Sequence, residues 1–168
     1  VQSNGMFHMN MTAPGMALMK QVYNGEKGIM EQMGSRNPIE GSDLESMKEQ
    51  AVIFNERNYS NPGYIMEVKG IEDVNGTPAY KLVVTKPTGA KSTEFYDKMT
   101  FLKLKEVQVA ESEGQTMTTT NEYTDYKSVD GIMIPHTLTI SGPMPTPMVM
   151  KATTIKINGE VDPSLFKI

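Results

Sequence analysis

The chain is predicted to be an α+β protein that is mostly β: a strongly curved antiparallel sheet of about nine or ten strands, with one amphipathic helix laid against it. Three observations predict this. Short alternating runs recur along most of the 168 residues, separated by Asn-Gly and Asp-Gly dipeptides that readily adopt the positive φ angles of tight hairpins. One stretch alone carries apolar residues at helical spacing. No Pro/Ser-rich linker interrupts the chain, so residues 1–168 read as a single domain, large enough to bury roughly 70% of its unfolded surface.

In chain order, "NGMFHMNM" (Asn4 to Met11) has β character and stops at the breaker "APG" (Ala13 to Gly15). "MALMKQVYN" meets the turn "NGEKG" (Asn24 to Gly28), and "IMEQM" resumes extended. The helix is placed on "SDLESMKEQAVIF", with Ser42 as N-cap and Glu45 three residues on as a capping box. Leu44, Met47, Ala51 and Phe54 form its buried stripe. "GYIMEVKGIEDV" then runs into Asn75-Gly76, followed by the alternating "PAYKLVVTK". "TEFYD", "MTFLKLKEVQVAE", "TMTTTNEYTDY", "GIMIPHTLTIS" and "PMVMKATTIKI" complete the strands, with "SGPMPTP" (Ser141 to Pro147) as a stiff loop before the last. The echo "YNG", "VNG", "VDG", "ING" at Tyr23, Val74, Val129 and Ile157 is irregularly spaced, so it marks repeated hairpins rather than a solenoid.

Composition removes several function classes. Sixteen basic against 20 acidic residues leave a net charge of −4, unsuited to a nucleic-acid partner, which needs a concentrated basic surface. With no Cys there is no disulfide framework, thiol nucleophile or thiolate metal site. No apolar run approaches the roughly 18 residues of a transmembrane segment. The chain opens on "VQSNGMFHMNM" without a start methionine and is expected to be a mature or excised piece of a longer protein. Methionine is the anomaly, at 15 residues. Its flexible, polarizable thioether fills irregular gaps and coats apolar grooves, although a lineage that uses Met in place of Leu is the plainer explanation of the count.

No catalytic motif is present. The two histidines, His8 and His136, lie far apart and neither belongs to the paired-His zinc patterns. The Gly-x-Ser-x-Gly elbow, the P-loop and the dinucleotide glycine pattern are all missing. "EDVNG" lacks most ligands of a calcium loop. The carboxylate pairs Asp125 with Asp130 and Glu111 with Glu113 read as surface charges. His8, Met9, Met11, Met16 and Met19 offer soft ligands of the kind that suit Cu(I), but Met9 and Met11 share one side of a strand and read first as core or groove. His136 falls in a row with Ile132, Ile134, Leu138 and Ile140, Asp130-Gly131 belongs to a turn, and Pro135 marks a bulge or an edge. No metal site, cofactor or catalytic residue is therefore assigned.

The ordered segments "QVYNGEKG", "LESMKEQAVIFNERNY", "GIEDVNGTPAYKLVV", "STEFYDKMTFLKLK", "YTDYKSVDGIMIPHTLTI" and "IKINGEVDPSLFK" together resemble the C-terminal domain of insulinase/pitrilysin-type zinc peptidases of Bacteroidetes-like bacteria, and segments of periplasmic lipoproteins. The pattern also resembles the outer-membrane lipoprotein carrier (LolA-like) fold, a curved half-barrel with helices on its concave side. The resemblance covers nearly the whole chain and implies a domain lacking the family's N-terminal helix and strand. The peptidase zinc ligands would lie upstream, in a zinc metallopeptidase parent, and none maps here. The implied function is a non-catalytic periplasmic or cell-envelope binding or docking domain with an apolar, Met-rich concave face. That face would take an apolar ligand or lipoprotein acyl chain, or dock an upstream peptidase domain. Its candidate lining is Met9, Met11, Leu18, Met66, Val68, Leu82, Val84, Ile134 and Leu138. The rival readings are a structural accessory domain with a filled core and, last, a hydrolase centred on His136.

Overall fold

A computed structural model describes every residue except Gly15, Glu113, Gly114, Pro143 and Met144, and only the backbone at Ser42, Glu111, Ser112 and Gln115. Two-residue turns with both central φ angles positive set many of the strand boundaries. Asn4-Gly5, Met33-Gly34, Asn75-Gly76 and Asp130-Gly131 all adopt this geometry, whose backbone twist matches that of the flanking strands. Asn75-Gly76 and Asp130-Gly131 are two of the hairpin pairs expected, whereas Asn4-Gly5, expected to start a strand, is a turn. Met33-Gly34 is not expected either, because Met carries a Cβ penalty in the left-handed region and gives no turn signal.

The first five strands are β1 (Gln2–Ser3), β2 (Met6–Ala13), β3 (Met16–Tyr23), β4 (Gly28–Gln32) and β5 (Ser35–Ile39). They form one antiparallel meander in chain order. Helix α1 (Gly41–Gln50) and a 3-10 helix (Asn55–Ser60) follow. The remaining strands are β6 (Ile65–Val74), β7 (Thr77–Thr85), β8 (Lys91–Asp97), β9 (Lys103–Ser112), β10 (Gln115–Val129), β11 (Ile132–Ser141) and β12 (Met148–Lys151). They make a seven-stranded antiparallel sheet, again in chain order. A second 3-10 helix (Pro163–Phe166) is capped by Asp162, which accepts from the Ser164 amide at 2.8 Å, and packs against β2 and β3. By contact density the chain divides into two compact units. One is Val1–Asn58 with Gly159–Ile168, the other Tyr59–Asn158.

The mostly β class stands, but about nine or ten strands in one sheet become, among the described residues, twelve in two. The additions are the two-residue β1 and the edge strand β5, "SRNPI", whose Pro38 and exposed polar residues conceal any alternation. The helix also differs. It begins at Gly41 with Glu40 as the extended N-cap and no side-chain cap, so Ser42 lies inside the first turn and cannot close a capping box. Its side chain lies outside the described residues. Glu45 instead pairs with Lys48 at 2.5 Å. The helix stops at its C-cap Ala51, and Phe54 sits beyond it at φ +60° and 44% exposed, leaving Leu44, Met47 and Ala51 as the buried stripe. At the C-terminal end only Met148–Lys151 is extended, and Asn158-Gly159 is flanked by no strand. The calls on Gly15, on the Glu111/Glu113 side chains and on the middle of "SGPMPTP" lie outside the described residues.

Candidate functional site

Within the first unit, register sorts one face of the five-stranded sheet into three rows. Phe7, Tyr23, Gly28 and Ile39 stand opposite one another across β2 to β5, then Met9, Gln21, Met30 and Asn37, then Met11, Met19, Gln32 and Ser35. Helix α1 covers the first row. Tyr23, Met47 and Ala51 are buried together, with Phe7, Ile39 and Leu44 packed around them. Gly28 lets the helix come this close, since a Cβ there would stand 2.9 Å from Met47 Sδ and 3.2 Å from both Ile39 Cβ and Leu44 Cδ1. At the helix margin lies a cavity of about 220 Å³, lined by Gln21, Met30, Ile39, Asp43, Met47 and Gln50. Met9 stands directly across from the lining residue Gln21, whose Nε2 donates to Met30 Sδ at 3.9 Å. The opposite face of the sheet carries the ion pairs of Glu31 with Lys20 and Arg36.

Within the second unit, one row crosses the whole seven-stranded sheet: Val68, Leu82, Glu94, Glu106, Asn121, Ile140 and Met148. Its ends are apolar and its centre is not. Glu94 is 1% exposed and lies opposite Glu106. The Tyr59 and Tyr96 hydroxyls donate to its carboxylate, Ser92 donates at 3.3 Å, and Lys103 forms an ion pair at 3.3 Å. Glu106 accepts from Tyr123 at 3.0 Å and Gln108 at 2.8 Å. A carboxylate taken from water survives only with such compensation. Ser92, Glu94 and Tyr96 alternate in "STEFYD", so this face was open to sequence reasoning. The contribution of Tyr59 was not, since it lies 35 residues from Glu94.

The nine groove candidates therefore fall in several settings. Met9 and Met11 occupy the methionine rows beside α1, with Met11 36% exposed. Leu18 has no partner because the register shifts between Met11 and Thr12, which makes it the extra residue of a β-bulge. Met66 pairs with Val84 and Val68 with Leu82 on one face. There Met66 and Val68 are exposed, while Val84 is fully buried and has no surface to offer a ligand. Ile134 and Leu138 lie on β11 opposite Lys127 and Tyr123. None of the nine lines the cavity beside α1. Sequence reasoning missed Gln21, Met30, Ile39, Asp43 and Gln50, because a cavity edge is defined by the span of a covering helix and not by local pattern.

Neither histidine sits in a catalytic array. His8 pairs with Val22, on the face away from Met9, and burial holds it below the usual histidine range. His136 Nδ1 lies 3.0 Å from the Ile134 carbonyl. Asp125 bonds Lys127 at 2.8 Å, and Asp130 is a turn residue. Pro135 pairs with Tyr126 on a part of β11 that β12 does not reach, in keeping with an edge position. Among the described residues no group of three or more His, Cys, Asp or Glu side chains could hold a metal ion, and no helix is long and apolar enough to cross a membrane.

No protein-family model matches the chain, and no curated protein matches it. Solved structures do. The chain aligns with a DUF1329 family protein from Desulfovibrio piger at TM-score 0.64 and 13% identity, over 96% of this chain and 80% of that one. A LolA superfamily protein from Nitrosomonas europaea aligns at TM-score 0.60 and 13% identity, over 94% and 73%. A domain from Vibrio parahaemolyticus assigned to outer membrane lipoprotein sorting aligns at TM-score 0.50 and 14% identity, over 91% and 79%. The chain thus has a LolA-like fold.

Proposed function

We propose that this chain is a non-catalytic binding domain of the bacterial cell envelope. It would hold an apolar ligand, an acyl chain foremost, on the methionine-lined face of its five-stranded sheet beside α1. One observation carries the reading: a cavity of about 220 Å³ at the helix margin is lined by Gln21, Met30, Ile39 and Met47, and Gln21 and Met30 stand in the Met9 row. Adaptable thioethers around a few polar groups suit a ligand whose shape is not rigid. The likeness to a domain assigned to lipoprotein sorting supports a lipid or lipoprotein ligand and a periplasmic or envelope location. A single half-barrel domain is supported by alignment over 96% of the chain. Strong curvature is supported by the bond from Asn75 Nδ2, in the turn between β6 and β7, to Glu122 Oε1 on β10 at 3.3 Å, since β8 and β9 lie between β7 and β10 and strands are spaced about 4.8 Å apart. An upstream zinc peptidase in the same polypeptide rests on the motif resemblance alone.

Met66, Val68 and Leu82 supply a second apolar patch in this reading, at the flank of the polar band. The test is titration of delipidated protein with a fluorescent fatty acyl probe. Saturable binding that Met30→Glu weakens at least tenfold, with far-UV circular dichroism unchanged, is expected. Absence of saturable binding would overturn the reading and favour the structural accessory domain. The cavity itself speaks for that rival, since it is smaller than the roughly 300 Å³ at which ordinary ligand pockets begin.

A further inference from the structure

The methionine rows have a chemistry that acyl binding does not use. Met11 and Met19 stand directly opposite each other on β2 and β3, Met9 lies one pleat away on the same face, and Met30 follows on β4 across Gln21. Four thioethers thus share one face of three adjacent strands. Met11 and Met19, directly paired, start about 5 Å apart at Cβ, and Met9 is the diagonal neighbour of Met19 at about 7–8 Å. Met has three rotatable bonds, so these three sulfurs can reach one point, whereas Met30 lies two strands from Met11 and its Sδ accepts from Gln21 Nε2. Met9 and Met19 are half-buried and Met11 is 36% exposed, which leaves an approach for a small ion. No His shares these rows, and the chain has no Cys.

We infer that Met9, Met11 and Met19 form a thioether site for one soft monovalent cation, Cu(I). A donor set of neutral sulfur alone selects Cu(I) over Zn²⁺, Mg²⁺ or Ca²⁺, which take harder nitrogen or oxygen ligands.

The experiment is anaerobic titration of the whole chain with Cu(I) kept reduced by ascorbate, in competition with bicinchoninate, and with Ag(I) as a redox-inert probe. One equivalent bound, with a sulfur-only shell in Cu K-edge X-ray absorption, is expected. Met11→Leu with Met19→Leu should weaken binding at least tenfold. Leu conserves volume, so the fold should persist, and circular dichroism checks it. Met33→Leu with Met99→Leu, at two turn positions more than 80% exposed, should change nothing. Failure to bind one equivalent, a nitrogen or oxygen shell, or equal binding by the Met11/Met19 double variant would overturn the site. The acyl-probe titration, run without metal, reports separately on the ligand reading.

Discussion

The Glu94 carboxylate is almost completely removed from water, and Tyr59, Ser92, Tyr96 and Lys103 converge on it. Each of these contacts compensates lost hydration, and Lys103, also largely buried, offsets the charge. Such a cluster depends on every member, because removing one partner of a buried ion pair costs about 3–5 kcal/mol. Glu94→Ala is therefore expected to lower the unfolding free energy by that order, seen as a lower urea midpoint with little change in slope. Glu94→Gln, which keeps an acceptor for the hydroxyls, should cost about 1–3 kcal/mol. A smaller loss for Ala than for Gln would show that the carboxylate is not what holds this part of the sheet together. Lys81 and Lys105 do a different job on the other face, laying their stems and ammonium groups over the Phe95 ring at 5.9 and 5.6 Å. That contact explains how a Phe on a lysine-bearing face is only 7% exposed.

Among the elements, α1 depends on β4 more than on its own caps. It lacks a side-chain N-cap, and helices this short draw most of their stability from packing. The packing surface is Gly28 with Tyr23 and Ile39. Gly28→Ala would push a methyl to 2.9 Å from Met47 Sδ and 3.2 Å from Ile39 Cβ. The flexible Met can yield and the Ile39 Cβ, fixed to the backbone, cannot. The expected cost is about 1–3 kcal/mol, seen as faster amide exchange in α1 and not in β7–β9. The stripe Leu44, Met47 and Ala51 was legible from helical spacing. The missing cap was not, because Ser42 has the composition of a cap but Gly41, at φ +60°, opens the helix one residue earlier.

At the scale of the molecule, charge and turn chemistry meet in the acid response. Asp97 accepts from the Thr100 and Met99 amides at 3.0 and 2.6 Å and is held below the usual carboxylate range by them. Hydrogen bonds from Lys127 lower Asp125, and those from Ser164 lower Asp162. A carboxylate whose folded pKa lies below its unfolded value stabilises the fold above the unfolded value, and that contribution disappears as pH falls through the folded one. Thermal stability should therefore lose these contributions only below about pH 4, and carboxyl carbon titration by NMR should place all three midpoints below the usual aspartate range. A midpoint for Asp97 within or above that range would contradict the turn geometry.

By itself the sequence determined what is local: alternating runs, the tight turns at Asn75-Gly76 and Asp130-Gly131, a single helix, and a net charge of −4 that disfavours nucleic acid. Alternation and Asn-Gly or Asp-Gly preference act within a few residues, so they can be read without knowing what lies across the sheet. Only the tertiary structure decided how strands divide between two sheets and which side chains meet. Met9 joins Gln21 and Met30, and Leu82 joins Glu94 and Glu106, through register between segments that carry no mark of their partners. For that reason the apolar face expected from nine scattered residues became two different surfaces, a methionine face beside α1 and a polar band with apolar flanks.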